Sequence, residues 1–382
     1  MAEIFGKTLM TLTLAIAGCA VWLAAAMAKD APNIKVALVF DLSGRREASA
    51  GVVKGIELAR DQLRAKGVIL DLISFNSQSD ALGTRNAMLE ALAASPDLII
   101  AEVYSSKAVV AAEMAEQAKR VMITPYATSP VVTAGRQFVF RACFSDEFQG
   151  RRLADFAIDQ LKARTTAIVI DAGQIYSKTL AESFRARYLQ RGGTIVAEEP
   201  VLAETPAFGE ILQRIAAKQP QLVFLPLYDK ATALLLNEAI AKGYTSPTFL
   251  GGDGWGATGT FKQMVLEKKA PLKAFWISHV DETFKSRPAA LFAQRFQAAY
   301  KSLPSESSSL GYDAAMLGVI AVSAAGPNAS QQKIADTLRA MRPYQGVSGV
   351  IQFKQKQDPA KSMFVIQPDG KGGLYMSSEL AP

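Results

Sequence analysis

Short β-rich runs alternate with helical patterns along nearly the whole chain, and that alternation confines the fold to parallel sheets covered by helices on both faces. Lys35 to Phe40, Val68 to Ser74, Leu98 to Glu102, Val121 to Thr124, Ala167 to Asp171, Thr194 to Glu199, Leu222 to Leu225, Thr248 to Leu250 and Ala274 to His279 read as strands. Between them, segments such as Gly51 to Lys66, Lys178 to Arg191 and Leu310 to Ala325 carry helical periodicity. The end of the chain differs: Gly349 to Phe353, Ser362 to Ile366 and Gly373 to Met376 are short runs divided by Asp358-Pro359 and Pro368-Asp369-Gly370, which reads as hairpins. A length of 382 residues accommodates two domains. No low-complexity linker separates them, so the chain is expected to cross between them more than once.

The N-terminus stands apart. Thr8 to Ala28 is 21 residues without a charge, preceded by Lys7 and followed by Lys29-Asp30. Ala26-Met27-Ala28 has the small-x-small form of a signal cleavage site, so residues 1–28 read as a signal peptide. Two alternatives stay open: lipoprotein processing at Cys19, and an uncleaved helix long enough to span a bilayer. With the signal removed, Cys143 is the one cysteine left and no intramolecular disulfide is expected. His279 is the single histidine, which argues against Ser-His-Asp, Cys-His and His-rich zinc chemistry. Neither an enzymatic activity, a cofactor nor a metal is expected. The net charge of +7 is spread over short patches without interleaved aromatics, so no nucleic-acid partner is expected.

The segment from Ala101 to Pro130 is the most suggestive of a site. It reads as a strand, a Ser-Ser turn, an alanine-rich helix, a second strand and a turn bearing Thr128. Ser105 and Ser106 stand where an N-cap belongs, with the helix expected from near Lys107, and a helix N-terminus favours an anion. Taken singly, Ser105 reads as a cap and Thr128 as a turn residue. Asp253, set among Gly251, Gly252 and Gly254 directly after a strand, is a carboxylate suited to pair with an ammonium group, or else an Asx-turn. Tyr176 and Tyr228 occupy matching strand-to-helix connections, and ligands of open α/β sheets bind beyond the carboxyl ends of the strands. Together these groups suit a zwitterionic amino acid. Gly254 to Gly259 also satisfies G-x-G-x-x-G with Asp281 downstream, but the segment behind it is short and contains Pro271, which weighs against a dinucleotide site.

From about Ile34 onward the chain resembles the branched-chain amino acid (leucine/isoleucine/valine-type) substrate-binding components of ABC transporters, which have the type I periplasmic-binding fold. The resemblance rests on ITPYATSP at Ile123 to Pro130, Phe140-Arg141 followed by Asp146 and Gln149-Gly150, the Gly-Gly-Asp-Gly turn at 251 to 254, and Gly346-Val347-Ser348-Gly349 leading to Phe353. It implies two α/β lobes, each a mostly parallel sheet with helices on both faces, joined by three hinge crossings near Arg141 to Ser145, Gly251 to Trp255 and Asp358 to Met363. Lobe 1 would be residues 29–143 and 254–360, and lobe 2 residues 144–253 and 361–382. It further implies that Ser105 and Thr128, with backbone around Tyr126 and Ala127, hold a ligand carboxylate, that Asp253 takes the ammonium, and that Tyr176 and Tyr228 contact the ligand from lobe 2. The implied protein is an exported, periplasmic, monomeric carrier that delivers an amino acid or related amide to an inner-membrane ABC permease. A ligand-sensing receptor of the same fold is the alternative. Two departures are expected to shrink or polarise the pocket: Arg45, Arg46 and Glu47 in the loop after the first strand, and Tyr126 where a small residue is common. Tyr104 stands at one position of a cysteine pair present in some relatives.

Overall fold

The computed structural model describes residues 33–380 except 44–46, 79, 203–204, 206, 257–259, 262, 265–271, 355 and 370–373. The proposed signal segment, Cys19, Arg45 and Arg46 lie outside the described residues.

Two sheets organise the chain. In the first, β1 (Asn33–Phe40), β2 (Ile69–Asn76), β3 (Leu98–Ala101), β4 (Met122–Thr124) and β5 (Val139–Arg141) run parallel in the order β2-β1-β3-β4-β5. In the second, β6 (Thr165–Asp171), β7 (Thr194–Val201), β8 (Leu222–Leu225), β9 (Thr248–Gly251) and β10 (Ala274–Ser278) are parallel, and β13 (Met363–Pro368) and β14 (Leu374–Leu380) extend the edge antiparallel, giving β14-β13-β10-β9-β8-β6-β7. A separate hairpin pairs β11 (Tyr344–Gly346) with β12 (Gly349–Ile351). The central strands are apolar because both faces of a parallel sheet are covered: β3, β8 and β9 are buried at every residue, whereas the edge strands β2 and β7 carry polar residues and are partly exposed.

The helices cover both faces. Lobe 1 carries α1 (Glu47–Arg64), α2 (Ala81–Ala93), α3 (Ser105–Gln117), α8 (Arg287–Tyr300), α9 (Glu306–Ala325) and α10 (Gln331–Arg339). Lobe 2 carries α4 (Asp146–Asp159), α5 (Ile175–Gln190), α6 (Gly209–Ala217) and α7 (Asp229–Ala241). Each lobe therefore has two apolar layers. In lobe 1 one layer joins Val36 and Leu38 to α1 and α9, and the other joins Ala37 and Val39 to α2 and α3. In lobe 2, alternate residues such as Val169 and Ile168 face opposite layers in the same way.

Helices α1 and α9 lie unusually close, and small residues permit it. A Cβ added at Gly55 would fall 2.0 Å from the carbonyl oxygen of Ser308, and one at Gly311 2.3 Å from that of Val52. Backbone cannot retreat as a flexible side chain can, so Gly55→Ala is expected to destabilise by about 1–3 kcal/mol through overpacking. A urea midpoint that falls at constant slope would show it.

The crossings are where the sheet topology departs from the sequence reading. The chain leaves lobe 1 after Arg141 and enters lobe 2 at Asp146, and it returns to lobe 2 between Ile351 and Met363. The remaining crossing is not at Gly251 to Trp255. Trp276, Ile277 and Ser278 of β10 pair with β13, and Ala274 and Phe275 with β9, so β10 belongs to lobe 2 and the crossing falls between Ser278 and Arg287. The reason is packing: Trp255, Phe261 and Trp276 form one aromatic cluster within the lobe 2 core, which holds these three residues in that lobe.

Candidate functional site

The order β2-β1-β3 in one sheet and β7-β6-β8 in the other reverses direction at β1/β3 and β6/β8, and such switch points open crevices at the carboxyl ends of strands. The residues singled out from sequence gather there. Ser105 opens α3 after β3, and Tyr126, Ala127 and Thr128 follow β4; from lobe 2, Tyr176 lies in the first turn of α5, Tyr228 immediately precedes α7, and Asp253 follows β9.

On lobe 1, the N-cap of α3 is Tyr104, and Ser105 is already helical. Its hydroxyl does not cap the helix; Ser105 Oγ accepts from the main-chain N–H of Ser129 at 3.2 Å. Ser129 Oγ beside it is buried without a hydrogen-bond partner. The Tyr228 hydroxyl lies near the main-chain N–H of Ser105. Ser106 was read as a cap alternative and instead reaches lobe 2: its hydroxyl lies 3.3 Å from Gln174 Oε1 and accepts from Ile175 N–H at 3.3 Å.

The loop from Tyr126 to Ser129 is held from beneath by Arg141, whose side chain is fully buried. Arg141 Nη1 donates to the carbonyl of Ala127 at 2.8 Å, Nη2 to that of Ser129 at 2.9 Å and to Thr133 Oγ1 at 2.7 Å, and Nε to Asp358 at 2.7 Å. The Thr128 hydroxyl lies near the Asp146 carboxyl, and the Asp146 main-chain N–H donates to the carbonyl of Thr128 at 2.8 Å.

On lobe 2, Asp253 is buried and surrounded by neutral donors. Gln149 Nε2 donates to Oδ1 at 2.7 Å, His279 Nε2 lies 3.1 Å from Oδ2, and the Tyr176 hydroxyl, which accepts from Gly254 N–H at 2.9 Å, lies near the carboxylate. Burial pushes Asp253 up to about 6 despite those donors. Asp146, which shares Gln149 Nε2 at 2.8 Å, is pushed to about 7 by burial and by the Asp253 charge. Burial also pushes His279 down to about 3, so its imidazole is neutral and supplies a hydrogen bond rather than a counter-charge. Its ring stacks on Phe144 at 3.7 Å, and its Nδ1 has no partner.

Aromatic rings join the two halves. Tyr176 stacks on Tyr228 with centroids 4.7 Å apart, and Tyr228 meets the edge of Tyr104 at 5.0 Å. The site's side wall is thus built by Tyr104. The Tyr126 ring packs against His279 at 5.2 Å, and its hydroxyl donates to the Asp253 carbonyl at 3.1 Å.

All seven expected residues are brought into one buried cluster. Sequence reasoning missed Gln149 as the partner of Asp253, His279 as a member of the site, and Glu306. The helical periodicity from Leu310 begins later than the helix does: Ser305 caps α9 by accepting from Ser308 N–H, and Glu306 is its first residue. The Ser-Glu pair at 305 and 306 was the signal for that start. The G-x-G-x-x-G run is not a nucleotide turn: Asp253–Trp255 is a 3-10 turn, the Trp255 ring lies where a Cβ on Gly251 would be, at 2.1 Å, and residues 257–259 are outside the described set. Among the described residues no group of three His, Cys, Asp or Glu side chains is placed to hold a metal ion.

Comparison with known proteins agrees with this architecture. The chain is 26% identical over 283 residues to Leu/Ile/Val-binding protein homolog 3 of Brucella melitensis, covering 72% of this chain and 73% of that one. It is 27% identical over 228 residues to the Leu/Ile/Val-binding protein BraC3 of Rhizobium johnstonii, covering 58% of this chain and 62% of its relative. The crystal structure of a leucine-binding protein from Thermotoga maritima superposes with a TM-score of 0.83 at 27% identity, over 91% of this chain and 99% of that chain. The family model for periplasmic binding proteins matches residues 33–373, nearly all of both lobes, and the chain belongs to that family.

Proposed function

We propose that the protein is an exported solute-binding protein that closes its lobes on a small amino acid and presents the closed form to an inner-membrane ABC permease. One observation carries the reading: an anion-favouring end and a cation-favouring end lie in the same buried cluster, on different lobes. The anion end is the N-terminus of α3 with the Ser105 hydroxyl and the unpartnered, buried Ser129 hydroxyl. The cation end is Asp253, a buried carboxylate held by the neutral groups Gln149, His279 and Tyr176, with no cationic side chain bonded to it. The Tyr228 and Tyr176 pair reaches from one end to the other, with Tyr228 on Ser105 N–H and Tyr176 on Asp253.

In this reading Ser105, Thr128 and main-chain groups of Tyr126 and Ala127 hold the α-carboxylate. Asp253 takes the α-ammonium, which offsets the cost of burying its charge. Tyr176 and Tyr228 turn aside to flank the ligand. A ligand that touches both lobes favours the closed state by its differential affinity for it. The names of the relatives, Leu/Ile/Val-binding proteins, support an amino acid as the substrate.

The test is a thermal-shift screen against amino acids, small amides, short-chain acids and nucleotides, with calorimetry on each hit. A ligand of the folded state at a hundred times its Kd adds about 2.7 kcal/mol, so one group of amino acids is expected to raise the melting temperature clearly. A shift with a non-zwitterionic solute and with no amino acid would overturn the proposal.

A further inference from the structure

We infer that Tyr126 is a closure latch: a lobe 1 side chain whose single hydroxyl holds the hinge carboxylate Glu306 and, across the cleft, the main chain of lobe 2 at Asp253, and so sets the balance between open and closed forms. Tyr126 Oη lies 3.0 Å from Glu306 Oε2 and 3.1 Å from the carbonyl oxygen of Asp253. Both partners are acceptors, and a phenol has one proton. The proton is therefore shared, and each contact is weaker than an undivided hydrogen bond. On opening, Tyr126 keeps Glu306, which belongs to the same lobe, and gives up Asp253 alone. A contact that is specific in geometry and cheap to break is what a reversible closure needs.

Glu306 is well placed to anchor such a latch. As the first residue of α9 it sits at a helix N-terminus, which favours its carboxylate. It accepts from the main-chain N–H of His279 and from Ser278 Oγ at 3.2 Å, the two residues at which the chain leaves lobe 2. Lys361, fully buried in another crossing, is attracted to it. One carboxylate thus gathers two of the three crossings and the loop that carries Ala127 and Thr128. Gly256 leaves the room: a Cβ there would lie 2.3 Å from Glu306 Oε2. The Tyr126 ring packs edge-on against His279, so a phenylalanine keeps the packing and removes only the hydroxyl.

The part of this inference that concerns affinity rests on the amino-acid-binding reading; the part that concerns closure does not. The experiment therefore measures both. Spin labels on Arg85→Cys in α2 and Lys178→Cys in α5, both exposed and on different lobes, report the interlobe distance in the full chain carrying Cys19→Ser; Cys143 is buried and stays unlabelled. Tyr126→Phe is expected to lower the ratio of closed to open molecules without ligand by about three- to tenfold, and to weaken the apparent Kd of a ligand found in the screen by the same factor. Its melting temperature is expected to stay close to that of the parent. An unchanged ligand-free distance distribution would overturn the latch. A shifted distribution in a protein that binds no amino acid would leave the latch standing and overturn the proposed substrate.

Discussion

Asp253→Ala is expected to weaken amino acid binding about a hundredfold or more, while Lys230→Ala, an exposed residue of α7, leaves it within about twofold. Truncation would strand a ligand ammonium among Gln149, Tyr176 and His279, none of which carries a negative charge. Calorimetry on both variants decides the matter, and equal, small losses would remove Asp253 from the site. The same carboxylate makes affinity and ligand-free stability move in opposite directions with pH. Asp253 is held at about 6 and Asp146 at about 7, above the ordinary value of 3.8. The folded state therefore binds more protons than the unfolded one between about pH 4 and 7, and ligand-free stability is expected to fall as pH rises through that window. Ammonium binding needs the ionised form, so affinity is expected to rise over the upper part of the same window. Asp253→Asn separates the two roles: it is expected to abolish tight binding and to reduce the pH dependence of ligand-free stability to the part that buried Asp146 supplies, without lowering the melting temperature.

Arg141→Ala is expected to destabilise the protein by about 3–5 kcal/mol, the cost of breaking a buried charge network from one side, and to weaken binding as well. The guanidinium satisfies the carbonyls of Ala127 and Ser129 and the Thr133 hydroxyl while its Nε holds Asp358 of another crossing. Removing it takes the guanidinium from two buried carbonyls directly beneath the loop that carries Thr128, leaving that of Ala127 only the Cys143 thiol at 3.4 Å and that of Ser129 only the Val132 N–H at 3.1 Å. Arg141→Lys is expected to recover little, because an ammonium cannot reproduce four donors in a planar fork. Denaturant midpoints and ligand titrations on both variants check this. An Arg141→Ala protein of parental stability would show that water replaces the guanidinium at no cost.

Much of this was legible in the sequence, and for a local reason. Strands such as Leu222–Leu225 and helices such as Gln331–Arg339 follow from periodicity over a few residues, and so does the placing of Ser105, Thr128, Tyr176, Tyr228 and Asp253 on loops after strands. Two α/β lobes and their shared crevice follow from that alternation. The sequence by itself thus determined the element types, the fold class and which loops meet. Only the tertiary structure decided who touches whom. Gln149 reaches Asp253 across 104 residues, and Tyr126 reaches Glu306 across 180. The position of β10 depends on pairing with β9 and β13 on either side, so the crossing at 279–286 could not be placed from residues 251–255 alone. The direction of the Tyr126 side chain was settled by hydrogen-bond acceptors, Glu306 and the Asp253 carbonyl, that arrive from distant parts of the chain. Local periodicity carries no information about such partners, because burial and hydrogen bonding are satisfied only once the lobes have formed.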